Sequence, residues 1–149
     1  MNKIITINNV KDVIIPLRGE DVILAADVAK LYGVETKVIN QAVKNNPDKF
    51  PEGFVLIPDN KELAHLRSKF STTNISSKTR TVPKAFTERG LYMLATILKS
   101  PVATRTTLAI VNTFAQVREV RRQILAMHEM EEKMSERGYT EEEIADILK

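Results

Sequence analysis

The chain contains no cysteine and no tryptophan, and aromatic residues make up only 5% of its 149 positions. Without thiols there can be no disulfide and no thiolate chemistry, a composition that suits a reducing cytoplasm. With so few rings, the core must be built from Leu, Ile, Val, Ala and a few Phe. Apolar runs are short: none approaches the roughly 18 residues a membrane-spanning helix needs. The first residues, Met1 to Thr6, lack the apolar block of a secretory signal. The reading is a cytoplasmic chain with no membrane partner. Histidine is scarce too. His65 follows Glu62 by three positions and His128 stands among Glu129, Glu131 and Glu132, so neither has metal-ligand spacing. No Ser/His/Asp set and no Gly-rich phosphate loop stands out. The expectation is a non-enzyme that uses no cofactor.

What the chain does contain is 43% hydrophobic residues, enough for a core, and an uneven distribution of charge. Residues 1–117 carry 16 Lys/Arg against 10 Asp/Glu, a net +6, whereas residues 118–149 carry 6 against 9, a net −3. A basic body with an acidic tail suits a nucleic-acid binder with a separate interaction segment. A solvated charged surface is the plainer alternative.

Local patterns order the chain. Residues 4–7 and 12–17 are β-branched and predict short strands. Arg18-Gly19-Glu20-Asp21 predicts a turn, and Val22 to Leu24 a returning strand. Helical signals begin at Ala25, break at Gly33 and resume from Glu35 to Asn46, where Pro47 ends them. Phe54 to Ile57 reads as a strand. Asp59 and Glu62 form a capping-box signature ahead of Leu63, Leu66 and Phe70. Residues 71–82 form a Ser/Thr-rich loop. Thr87 can cap a helix with Leu91, Leu94, Ala95 and Leu98 as its buried stripe. Ser100-Pro101 opens a long helix reaching the 130s. Gly138 stops it, and Thr140 with Glu143 caps a short last helix.

The segment from Ala25 to Lys44 carries the strongest signal. A helix-turn-helix needs a small residue where its helices touch, a glycine in the turn and an apolar face behind the second helix. Ala29, Gly33, and Val34, Val38, Ile39 and Ala42 fill these roles. The positions left over are Thr36, Lys37, Asn40, Gln41 and Lys44, which share one helical face. Asn and Gln can pair bidentately with adenine, and Lys can reach guanine or phosphate. No acidic residue lies between Thr36 and Asn46, whereas a merely solvated face mixes signs. An ordinary helical hairpin with a polar outer face is the alternative.

A second basic stretch runs from Arg67 to Arg89. It holds Arg67, Lys69, Lys78, Arg80, Lys84 and Arg89 against Glu88 alone, interleaved with hydroxyl and amide side chains. These groups suit phosphate oxygens. Arg67, Lys69, Lys78, Arg80 and Lys84 are therefore read as backbone contacts on a strand-loop wing, with a solvated surface loop as the alternative.

In the long helix, Ile110, Val117 and Ile124 recur every seven residues, with Val120, Met127 and Met134 three residues out of step. That pattern is a coiled-coil seam interrupted by Thr113 and Glu131, and it predicts a homodimer through the C-terminal helix, with packing on the protein's own body, under the short helix at Ile144 and Leu148, as the alternative.

Several motifs in order carry a resemblance. They are Arg18-Gly19-Glu20-Asp21-Val22, Asp27 to Lys37, Phe50-Pro51-Glu52-Gly53-Phe54, Leu66-Arg67-Ser68-Lys69-Phe70 and Pro83-Lys84-Ala85-Phe86-Thr87-Glu88-Arg89-Gly90. From about Ile14 to Arg118 the chain resembles the KilA-N superfamily, in the branch named for the N-terminal domain of a phage open reading frame, ORF-six. The resemblance implies a DNA-binding domain of phage and prophage regulators, often antirepressor-like. Many relatives carry a large second domain, for which the residues after Arg118 leave little room.

The combined expectation is an α+β fold with short N-terminal strands, an embedded helix-turn-helix, a basic loop and a long C-terminal helix. Residues 1–117 form the DNA-binding domain, and residues 118–149 form a charged helical tail that serves as an oligomerisation segment. Double-stranded DNA is the expected partner, in transcriptional regulation. The alternative is an antirepressor-like module that binds a repressor or another regulatory protein.

Overall fold

The first turn of the fold is set by two adjacent residues with positive φ, Arg18 at 53° and Gly19 at 78°. Such a pair makes the tight two-residue turn whose twist matches that of the strands it joins. Here it joins β1 (Ile15–Leu17) to β2 (Glu20–Leu24), with Leu17 facing Glu20 across the hairpin. These strands open a computed structural model that describes residues 10–69 and 82–149. The expected strand at 4–7, Phe70 and most of the 71–82 loop lie outside the described residues. The strand expected over 12–17 is shorter than that run, because Asp12 and Val13 are in turn conformation.

The remaining elements follow in order: α1 (Ala25–Tyr32), α2 (Thr36–Asn45), a short 3-10 turn (Pro47–Lys49), β3 (Val55–Leu56), α3 (Asn60–Lys69), β4 (Ala85–Thr87), α4 (Glu88–Ala95), α5 (Pro101–Glu136) and α6 (Glu141–Ile147). The fold is α+β. Its sheet is antiparallel, in the order β1-β2-β4-β3.

The central strand β4 is absent from the sequence expectation. It has only Ala85, Phe86 and Thr87, all buried, so it shows no alternation of polar and apolar residues. Its register places Phe86 between Ile23 and Val55. Leu66 of α3 packs on Ile15, Leu17, Val22, Leu24 and Ala85 to form the hydrophobic centre.

Cation-bearing side chains brace the outside of this sheet. Arg18 donates to both carboxylate oxygens of Glu62 and to the carbonyl of Ile57. Glu62 also accepts from the Asp59 N–H, and Asp59 accepts from the Glu62 N–H, which completes the expected capping box of α3. Thr87 caps α4 by accepting from the Gly90 N–H, and Ser100 caps α5 by accepting from the Ala103 N–H. On α4, Leu91 and Leu94 are buried as expected, but Ala95 is only half-buried, and Leu98, also half-buried, falls beyond the end of the helix.

The chain divides into two compact units, one ending at Thr113 and the other running from Phe114 to Lys149. In the first unit, Ala103, Thr106, Ile110 and Thr113 form the buried stripe of α5. Thr106 donates to the Leu31 carbonyl, and the Thr107 hydroxyl meets the Tyr32 hydroxyl at 2.8 Å, which ties α5 to the end of α1. In the second unit α5 ends where the Tyr139 N–H reaches back to the Met134 carbonyl. Thr140 and Glu143 then form the expected reciprocal cap of α6. Ile144 is buried beside a shallow hollow lined by Glu131, Glu132 and Ser135. Among the described residues no helix is long and apolar enough to cross a membrane.

Candidate nucleic-acid interface

Helix α1 begins directly from β2, and Leu24 at its N-cap offers no side-chain acceptor. The first orphan donor is satisfied by the main chain instead: the Ala25 N–H donates to the Lys84 carbonyl at 2.9 Å. Asp27 is buried in the first turn, where the helix dipole favours a carboxylate. Val28, Ala29, Leu31 and Tyr32 are also buried, so α1 is anchored on several sides. Burial pushes the Tyr32 phenol above its usual pKa, against the smaller opposing effect of its bond to Thr107. The phenol therefore stays neutral at physiological pH.

The turn between α1 and α2 is three residues long, Gly33 to Glu35. Gly33 has φ 70° and its N–H donates to the Lys30 carbonyl, while the Val34 N–H donates to the Ala29 carbonyl at 2.9 Å. This pair of bonds is a Schellman closure, which needs a left-handed residue where Gly33 stands. It fixes the direction in which α2 leaves. Ala29, 2% exposed, provides the small contact surface that the packed pair of helices requires.

Ile39 and Ala42 are the buried residues of α2. Thr36, Lys37, Gln41 and Lys44 are exposed, as the sequence implied. Two positions differ from that expectation. Val38, expected in the core, is 38% exposed. Asn40, expected on the outer face, is half-buried, and its Oδ1 is buried with no hydrogen-bond partner among the described residues. Val38 and Asn40 stand about 100° either side of Ile39 around the helix, so both lie at the edges of the buried face, where neighbouring elements decide which is covered. Lys37 pairs with Glu35 at 3.1 Å, both side chains being largely exposed.

The second basic stretch is not one structural element. Arg67 and Lys69 are exposed on the last turn of α3 rather than on a loop. Lys84 is half-buried just before β4, with its carbonyl committed to Ala25. Lys78 and Arg80 lie outside the described residues. Arg89 has a structural role: it lies over the Phe54 ring at 5.2 Å, donates to the Gly53 carbonyl and sits 3.6 Å from Glu20.

The motifs of the resemblance meet in space. Thr87 donates its hydroxyl to the Gly53 and Phe54 carbonyls, and its N–H to the Phe54 carbonyl. Phe50 meets Phe86 edge to face at 6.2 Å. A Cβ on Gly90 would stand 2.0 Å from the Phe54 oxygen, so that position admits no side chain. Two of the quoted motifs, Phe50 to Phe54 and Pro83 to Gly90, thus form a single interlocked joint. The whole of residues 12–97, more than half of the chain, matches the ORF6N domain. The chain belongs to the ORF6N domain family. No curated protein and no solved structure matches it. Within the ORF6N domain matched here, the sheet, the α1–α2 pair, α3 and α4 are included, and α5 begins after it.

Proposed function

We propose that the protein is a duplex-DNA-binding regulator of phage or prophage type, with α1 and α2 acting as a helix-turn-helix and α2 entering the major groove. One observation carries this reading: Lys37, Gln41 and Lys44 recur at i, i+4 and i+7 on the exposed face of a helix that has no carboxylate. The helix is held from behind by Ile39, Ala42 and the Gly33 closure. A rigid helix with donors and cations on one face is what base-edge readout requires. Arg67 and Lys69, with Lys84, Lys78 and Arg80, supply backbone contacts in this reading. Membership of the ORF6N domain family supports the phage-type context. The protein acts in the cytoplasm, without cofactor or catalysis.

Binding of the full chain to a random duplex pool, titrated at several salt concentrations, tests the proposal. If about 4–6 phosphates are neutralised, log affinity should fall against log salt with a slope near −4 to −5. A slope near zero, or no binding at low salt, overturns it. The second reading, an antirepressor-like module that binds a repressor, is favoured by the acidic tail. It would be supported if the chain bound a regulator protein and no duplex.

A further inference from the structure

Within the second unit, α5 carries Val117, Val120, Ile124, Met127 and Met134 along one helical face. Of these, Val120 is 54% exposed, Ile124 49% and Met127 48%. A contiguous face of half-exposed Val, Ile and Met side chains favours association. Helix α6 packs at the far end of this face, where Ile144 lies beside Glu131, and leaves Val120, Ile124 and Met127 open.

We infer that this face binds a second copy of the chain, with the two α5 helices antiparallel and Ile124 layered against the partner's Met127. Two features of the sequence select that arrangement. First, an antiparallel pair stacks each seam residue of one repeat on the alternate seam residue of the other. Val117 then meets the partner's Met134, Val120 the partner's Glu131 and Ile124 the partner's Met127. One two-fold axis satisfies all three layers. Second, the charges are segregated along the helix. Residues 118–122 hold Arg118, Arg121 and Arg122 against Glu119, and residues 129–136 hold four Glu against Lys133. Antiparallel pairing lays the basic segment on the acidic one. The single charged seam residue, Glu131, then packs beside the partner's Arg121. A parallel pair would instead bury Glu131 against its own copy, and an uncompensated buried charge is costly.

The inference does not depend on DNA binding. If α2 reads DNA, a two-fold dimer also requires an operator made of two inverted half-sites.

The chain has no cysteine, so site-directed cross-linking is clean. The full-length chain should sediment as a dimer at tens of micromolar. On mild oxidation or with a short bis-maleimide, a mixture of Val117→Cys and Met134→Cys chains should form a covalent heterodimer, and Val117→Cys alone should not. Glu131→Arg should weaken the dimer, and adding Arg121→Glu to the same chain should restore it, with helical content by circular dichroism unchanged throughout. A monomer at that concentration overturns the inference. So does efficient self-cross-linking of Val117→Cys alone, which reports a parallel pair. Neither result bears on whether the chain binds DNA, which the salt titration reads separately.

Discussion

Arg18 grips Glu62 with two parallel bonds, from Nε at 2.9 Å and from Nη2 at 2.8 Å, across 44 positions of sequence. The pair joins the β1–β2 turn to the first turn of α3. It also holds Arg18 in a left-handed conformation that is uncommon outside glycine.

The pair makes stability depend on acid in a definite direction. The Arg18 guanidinium, followed by the Asp59 N–H, holds the Glu62 carboxyl down at about 2, below its ordinary value of 4.5. Between those values the unfolded chain binds more protons than the folded one. The contribution of Glu62 is therefore complete above about pH 4.5 and is lost as pH falls through about 2. Thermal melts from pH 6 to pH 2 should show a steeper fall for the native chain than for Glu62→Gln. Both groups are partly exposed, so added salt should shrink the difference. Parallel curves for the two proteins would show that the pair is not formed in solution.

Gly90→Ala should be the most damaging single-methyl change in the first unit. The new Cβ would collide with the Phe54 carbonyl at 2.0 Å, and that oxygen already accepts from the Thr87 N–H and hydroxyl. Backbone must move, and the bonds around Thr87 go with it. A loss of about 3 kcal/mol or more is expected in urea unfolding, from overpacking together with broken hydrogen bonds. Gly33→Ala meets open space and suffers only from its positive φ, a cost of about 1 kcal/mol. Equal losses at the two sites would contradict the interlocked joint.

Wherever a local rule governs the backbone, the sequence was readable. Gly33, Ser100-Pro101, Asp59 with Glu62 and Thr140 with Glu143 all act at the helix ends where their chemistry placed them. Strand β4 was not readable, because Ala85 to Thr87 becomes a strand only through pairing with β2 and β3. The role of Arg89 was hidden for the same reason. In sequence it is one more cation of the stretch from Arg67 to Arg89, whereas Phe54, Gly53 and Glu20 claim it in the fold. On α2 the periodicity found the right helix. It misjudged only the edges of the buried face, where Val38 and Asn40 stand on opposite sides of Ile39.

Exposed residues of α2 should divide the work of binding. Gln41→Ala should cost about 1–3 kcal/mol on the preferred duplex and blur the preference at one or two base pairs. Lys44→Ala should weaken binding evenly across sequences and reduce the salt slope by about 1. Lys37→Ala should do less than Lys44→Ala, because Lys37 already shares its charge with Glu35. Selected duplex pools compared between variants read the first effect, and salt titrations read the others. If Gln41→Ala lowered affinity without changing preference, base readout by α2 would be wrong.

Asn40 offers the sharpest test of whether α2 was shaped for stability or for a ligand. Its Oδ1 is buried without a partner among the described residues, while Ile39 and Ala42 beside it are buried apolar side chains. Leaving a buried acceptor unsatisfied costs about 1–3 kcal/mol. Asn→Ala in a helix interior gains at most about 0.7 kcal/mol from backbone propensity. If the orphaned oxygen is a real liability, Asn40→Ala should raise stability by more than that figure, and its melting temperature should exceed that of the native chain. Residues that lower the stability of a free protein are characteristic of binding surfaces, where the ligand supplies the missing partner. Once the half-buried Asn40 side chain turns outward, an adenine amino group in the major groove is such a donor. The same variant should therefore bind its preferred duplex more weakly and discriminate less, although it is the more stable protein. Calorimetric melting and duplex selection on one preparation measure both arms. A fall in melting temperature would mean that Oδ1 is satisfied in solution. A rise with unchanged discrimination would remove Asn40 from the DNA-reading face and leave Gln41 to carry it.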